Sequence, residues 1–441
     1  MLGGAIPTAT IPATITPLDG RRQHHLDGLR GLAALIVVFH HFVMAFDLAL
    51  YTGKAENSRG PWDLWLASYP FEIAPPGNLS VCLFFALSGY VLAGSFNRTS
   101  LGITALVVRR YVRLGLPIFV VVMISWALHA TGAIQNAAVA PLTRSNWLNP
   151  FMTGDLTFWR ALLEGGYGSL IGGTALFDPS LWTMSIEFVG SLVLIVIFVV
   201  TRMCGGPRTL MPSRGVLLIL FVIETYNSYL FLFGIGAAMA LFDLRRHSQR
   251  WCEKPWFAVC LIGLGLSLGM MSGSEIRPHF VAWILIHIPI HHVRLPLPSN
   301  FGMQQGELCW HAWGAVLLLI AIDGSPRLRH MFAGHYFQFL GRISFPLYLI
   351  HFPLLLSVGC GTYLLMIGNG IPVIAATAIA FVVYTSAAIA AGIALSPVET
   401  LAVRLSVGCG YATQSMVVRV RRMLTGSPKQ KQTGGAGLNQ P

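Results

Sequence analysis

The sequence predicts an all-α polytopic membrane protein, and three observations carry that prediction. Hydrophobic residues make up 54% of the chain and charged residues only 10%, a balance outside the range of soluble globular domains. Apolar runs near the length of about 20 residues that spans a bilayer core recur along the chain. Its Lys and Arg residues gather in short clusters between those runs, as in cytoplasmic loops. The net charge of +12 is therefore read as a topology signal, and no basic domain offers nucleic acid a place to dock.

In chain order, residues 1–25 read as a cytoplasmic segment rich in Pro, Thr and Ala, without the apolar stretch of a cleavable signal peptide. A first span from Leu29 to about Leu50 leads to a loop whose Trp62, Trp65, Tyr69 and Phe71 suit an interfacial belt. Leu79 to Phe96 forms the second span; Arg98, Arg109, Arg110 and Arg113 follow it and put that end, and by parity the N-terminus, in the cytoplasm. Leu114 to about Ala130 crosses back, a Gly- and Trp-containing connection with a partly re-entrant stretch from Ala161 to Phe177 follows, and Leu181 to Thr201 returns to Arg202, Arg208 and Arg214.

Gly215 to Phe242 is long for one crossing and short for two. The basic loops on both sides require an even number, so two short helices broken around Thr225 to Asn227 are expected. Trp256 to Met271, Trp310 to Ile322, Ile343 to Met366 and Pro372 to Leu395 complete about ten helices with both termini cytoplasmic. The transmembrane domain is thus bounded as 26–400. Residues 401–441 form a basic cytoplasmic tail, with a basic amphipathic helix from Pro397 to Leu424 lying on the inner surface and a disordered end.

With no soluble domain of any size, chemistry falls to polar residues within the bundle, where an ionisable side chain is costly and points to function. Arg30 and His41 are eleven residues apart, within roughly 20° on one helical face at ~100° per residue, whereas His40 is about 80° away. His41 is the histidine that shares a face with Arg30. Arg110 and Arg113, at i and i+3, present a fork of donors suited to a phosphorylated ligand from the cytoplasm, or serve only as topology charges. Glu187, about six residues into its span, needs a partner: Arg30, His41 or a substrate hydroxyl. His351, about two turns inside its helix, suits either helix packing or substrate gating.

His287, His291 and His292 have i, i+4 spacing, but Pro289 and Pro296 spoil the helix and no carboxylate completes a shell, so no metal is expected. The seven cysteines carry no CxxC spacing. Walker, Rossmann and HExxH motifs are absent, and the GxSxG string from Gly265 to Gly269 lies inside an apolar run without the strand-turn-helix setting of a nucleophile elbow, which leaves serine-hydrolase, NTPase and zinc-protease readings without support.

Five motifs in order (Leu26-Asp-Gly-Leu-Arg30-Gly with His41 beyond it, Phe84-Phe-Ala-Leu-Ser-Gly-Tyr90, paired Arg110 and Arg113, Trp182 to Glu187, and Ser344 to His351) resemble the acyltransferase-3 family of integral membrane acyltransferases. The resemblance covers residues from about 23 to 400, and the Trp182-Thr-Met-Ser-Ile-Glu187-Phe-Val-Gly-Ser form is similar to its fungal branch. It implies about ten helices and transfer of an acyl group, commonly acetyl, from acetyl-CoA or another acyl-CoA to a hydroxyl. Carried over, His41 is the essential histidine, Arg30 its partner, Arg110 and Arg113 the donor-binding arginines and Glu187 the acid of the central motif. His351 and Trp182 are assigned to the substrate.

The expected chemistry is general-base catalysis by His41, oriented by Arg30 or Glu187, with an acyl-histidine intermediate left open. The expected acceptor is a small, partly lipophilic alcohol of specialised metabolism such as a terpenoid or polyketide, with a carbohydrate as the rival. A proton-coupled transporter or a receptor are the alternatives of other classes. The expected location is multi-pass in the endoplasmic reticulum or another endomembrane, with oligomeric state open.

Overall fold

The computed structural model describes residues 23–68, 77–205, 210–226, 228–270 and 305–425, and every regular element among them is helical. We number the longer helices α1 His24–Phe46, α2 Gly77–Arg98, α3 Ile103–Ala130, α4 Trp182–Cys204, α5 Leu210–Glu224, α6 Tyr229–Leu241, α7 Pro255–Gly269, α8 Gln305–Gly324, α9 His335–Leu354 and α10 Val373–Thr425. Among the described residues six helices are long and apolar enough to cross a membrane. The number rises to eight if each of two sharply bent pairs is one crossing: Leu244–Cys252 with α7, bent by 111°, and Leu308–Gly324 with Pro326–Phe332, bent by 96°. α6 is apolar but shorter.

The expected break between Gly215 and Phe242 is present: α5 ends at Glu224 and α6 begins at Tyr229. Arg109, Arg110 and Arg113 do not sit in a loop before the third span. They lie inside α3, which starts at Ile103 rather than at Leu114, and Arg110 and Arg113 face the interior of the bundle. At the C-terminal end, α10 runs without interruption through Pro397 and past residue 400 to Thr425, in place of a span followed by a separate surface helix. It packs along α3 as far as Gln414, whose side-chain oxygen accepts from the backbone N–H of Gly102 at 3.0 Å. Trp62 and Trp65 are exposed on a short helix, as a belt requires, whereas Tyr69, Phe71 and the triad His287, His291 and His292 lie outside the described residues.

One helix pair sets the centre of the molecule. A Cβ on Gly31 would come within 2.4 Å of the Gly341 nitrogen, and one on Gly341 within 2.5 Å of the Asp27 carbonyl oxygen. Only glycine permits so close an approach of α1 and α9, the role small residues take in membrane helix packing. Ten residues beyond each glycine the pair meets again, where His41 touches His351. Two contacts at equal spacing mean that α1 and α9 run parallel and in register, so a backbone crossing at one end fixes a side-chain contact about 15 Å further along.

Over the His41 end of α1 the connection between α3 and α4 folds down as a cap. Arg144 Nη1 donates to the Ser58 carbonyl at 2.6 Å, Asn57 Nδ2 to the Arg144 carbonyl at 2.9 Å, and Ser145 Oγ to the Met44 carbonyl at 2.7 Å. Short helical turns at Phe158–Leu163 and Glu164–Gly172 pack beside α3 and α4 in the stretch read as partly re-entrant.

Candidate functional site

Two adjoining cavities lie among α1, α2, α4 and α9, the first bounded by α3 and α10 as well. The first is bordered by Arg30, Arg110, Arg113, Glu187, Ser88 and Glu399. The second is bordered by His40, His41, Asn78 and Ser180 with an aromatic set that includes Trp147, Trp182 and Tyr229.

In the first cavity three arginines converge from two helices. Arg110 forms an ion pair with Glu187, whose Oε1 also accepts from Ser88 Oγ at 2.8 Å. Arg30 pairs with Asp27, one turn back on its own helix. The Nε atoms of Arg30 and Arg110 are buried without a hydrogen-bond partner among the described residues. A buried guanidinium with donors unspent is costly and suits an anion that arrives later. Glu187 therefore has a partner, as its depth requires, but that partner is Arg110 rather than Arg30 or His41.

In the second cavity His41 Nδ1 lies 2.8 Å from His351 Nε2, and His351 Nδ1 lies 2.6 Å from the Tyr348 carbonyl oxygen. The protons follow from the network. A carbonyl only accepts, so Nδ1 of His351 carries hydrogen; in the neutral ring Nε2 then accepts, and His41 donates from Nδ1. That leaves Nε2 of His41 with a free lone pair, the state a general base needs. The two imidazoles are nearly coplanar, 7° apart, and Trp147 stacks on His41 at 5.6 Å while Phe352 meets it edge-on at 5.1 Å. The ring is held by two aromatic neighbours and one nitrogen.

His41 thus takes His351 as its partner, not Arg30. Arg30 and His41 do share a helical face, but their separation of eleven positions amounts to about 16 Å of rise, and the two open into different cavities. His351 itself is fully buried behind His41 and does not border the second cavity, whereas Trp182 does. His40 borders the same cavity, edge-on to Tyr51 at 5.0 Å.

Several residues were not singled out by the sequence. Trp147 lies in a polar connection with no periodic signal. Tyr348 sits one turn before His351 on the same face, a spacing that could have flagged it. Glu399 is an acidic exception in a basic stretch. Asp178, directly before the Pro179–Cys204 span, caps the turn that leads into α4: its Oδ1 accepts from the Ser180 N–H at 2.9 Å and Ser180 Oγ at 2.8 Å, while Oδ2 is buried without a partner among the described residues.

Desolvation pushes the Asp178 carboxyl up to about 7 against the opposing hydrogen bonds from Ser180. A group that binds its proton more tightly folded than unfolded stabilises the fold in acid, and that contribution is lost as pH rises from about 4 through about 7. The wild-type unfolding midpoint is accordingly expected to fall across this window by more than that of Asp178→Asn, as followed by thermal unfolding in detergent; parallel curves refute the assignment.

A family model described as an acyltransferase domain matches residues 23–396. O-acetyltransferase PaAT-1 of Phomopsis amygdali is 26% identical over 382 residues, covering 76% of this chain and 72% of that protein. Acyltransferase R4 of a Phoma species is 23% identical, with 77% and 84% covered, and acyltransferase clz18 of Cochliobolus lunatus is 23% identical, with 76% and 83% covered. No solved structure matches.

Proposed function

The chain belongs to the acyltransferase-3 family of integral membrane acyltransferases, and from that premise we propose that it moves a short acyl group, commonly acetyl, from an acyl-CoA to the hydroxyl of a small lipophilic alcohol. The observation that carries this reading is the histidine relay, Tyr348 carbonyl to His351 to His41, standing next to a cavity with three arginines.

The donor's phosphates are anions, and Arg110 and Arg113 are the groups suited to hold them. Its thioester end reaches toward His41. The acceptor hydroxyl donates to Nε2 of His41; as its oxygen attacks the thioester carbonyl, the proton passes to Nε2, and the imidazolium is stabilised through its Nδ1–H to His351. Collapse of the tetrahedral intermediate breaks the C–S bond, and His41 returns the proton to the departing thiolate. Glu187 serves here by positioning Arg110, a role in place of orienting the imidazole.

The His41 cavity supports the acceptor class. Tyr51, Trp147, Phe151, Trp182, Tyr229 and Phe352 line it, and Asn78 has its amide engaged by Tyr229, which donates to Oδ1 at 2.7 Å, and by His311. A ring-bearing terpenoid or polyketide alcohol finds apolar faces there, whereas a glycan would leave most of its hydroxyls unpartnered. We further propose that the short helices complete ten membrane segments with both termini cytoplasmic, in the endoplasmic reticulum or another endomembrane. The basic clusters favour this topology.

Membranes carrying the protein, given labelled acetyl-CoA and a panel of terpenoid, polyketide and sugar alcohols, test the reading. Label appearing in a lipophilic ester supports it; label in sugar esters alone overturns the acceptor class, and no acceptor-dependent label overturns the activity. Arg113→Ala is the cleaner probe of the donor site, because Arg110 also neutralises Glu187. Loss of a charged hydrogen bond costs about 1.5–3 kcal/mol, so donor KM is expected to rise about 10–100-fold with acceptor KM nearly unchanged; an unchanged donor KM marks Arg113 as a topology charge only.

A further inference from the structure

Four helices order their residues along the two cavities in the same sense. On α1, Arg30 borders the first cavity and Val37, His41 and Met44 the second. On α2 the order is reversed in sequence but not in space: Gly77 and Asn78 border the His41 cavity, and Phe84, Ser88 and Val91 the arginine cavity. Ser180 and Trp182 give way to Thr183 and Glu187 on the segment entering α4, and on α9 Ser344 and Phe345 give way to Phe352. The cavities are therefore stacked along the helix axes, and the two residues that border both are Val81 and Tyr348.

Taking the proposed transfer reaction as given, we infer that Val81 and Tyr348 form the aperture through which the acyl group passes from the donor cavity to His41, and that Val81 sets the largest acyl group admitted. Phosphates held by arginines in one cavity and a base standing in the other require the thioester arm to cross this level. Nothing larger than the gap between these two side chains can follow.

Tyr348 is the fixed jamb. Its hydroxyl is hydrogen-bonded to Thr183 Oγ1 at 2.9 Å and to the Ser180 carbonyl at 3.3 Å, Phe84 meets its ring edge-on at 5.4 Å, and its carbonyl holds His351. Widening the passage at Tyr348 would disturb the relay. Val81 has no such duties: it is a buried aliphatic side chain, 7% exposed, on the opposite wall, and its size can change without touching a hydrogen bond. The donors this passage sorts are acyl thioesters that differ in chain length.

The test compares acetyl-CoA with hexanoyl-CoA on membranes carrying wild type, Val81→Ala and Val81→Phe, with one acceptor alcohol. The ratio of kcat/KM for the two donors on one preparation does not depend on how much of each variant folds. A few methylenes admitted to or refused by an apolar passage change selectivity by about tenfold or more. Val81→Ala is expected to raise the hexanoyl-to-acetyl ratio at least about tenfold, and Val81→Phe to lower kcat with acetyl-CoA while donor KM stays near wild type. An unchanged ratio in Val81→Ala, with wild type active, overturns the aperture and leaves the His41 reaction standing. A wild type that turns over neither donor overturns the reaction on which the aperture rests.

Discussion

Replacing His41 by alanine is expected to lower kcat for acyl transfer by about 10²–10⁴-fold, the range a positioned general base contributes, with the protein still folded in the membrane. The fold survives because the α1–α9 crossing is set by the backbone approach at Gly31 and Gly341, not by the histidine pair ten residues on. What is lost locally is one partner of the buried His351 Nε2, at a cost of about 1–3 kcal/mol. His40→Ala is the contrasting variant. His40 lines the same cavity, so its removal alters acceptor fit and KM, with a much smaller fall in kcat. Measuring both parameters for the two variants separates base from wall; wild-type kcat in His41→Ala removes His41 from the chemistry.

The second large effect is expected at His351, which borders neither cavity. His351→Phe keeps an aromatic ring in the buried slot but removes the acceptor for the His41 Nδ1–H. The base is then free to take the wrong tautomer, and its imidazolium form loses a partner. A kcat lower by about 10²-fold with donor and acceptor KM near wild type is expected, a smaller loss than the ~10⁴ seen where the orienting group is a carboxylate. Gln at this position offers a carbonyl oxygen near the place of Nε2, so His351→Gln should recover part of the rate, and the acid limb of the pH–rate profile should move in the Phe variant. A structural residue would give parallel losses in both variants with an unmoved profile.

The sequence carried the helices further than it carried the pairings between their polar side chains. Periodicity placed Arg30 and His41 on one face, which is correct for α1, yet it is blind to the rise between them. Two residues on the same stripe about 16 Å apart reach different cavities. Their actual partners come from opposite directions: Asp27 from the same turn and His351 from 310 residues away. The second contact depends on α1 and α9 lying parallel and in register, and that register is written in Gly31 and Gly341, whose meaning appears only when both helices are seen together.

A similar limit hid the Arg110–Glu187 pair. Each was legible as a charge at membrane depth, but the bond between them is a property of α3 packing on α4. By contrast, the break near Thr225 followed from chain length together with the basic loops on both sides, which require an even number of crossings. The continuous α10 was missed because Pro397 and the rising count of basic residues read as the end of a span. Proline at that point passes through the helix, and Glu399 beyond it turns back to border the arginine cavity.

The measurement closest to the central claim is acyl transfer from labelled acetyl-CoA to a lipophilic alcohol by membranes carrying wild type or His41→Ala in equal amounts. The expected result is acceptor-dependent ester in wild type and a rate at least about 10²-fold lower in the variant. Equal rates in the two, or no ester from wild type with any alcohol offered, would contradict it.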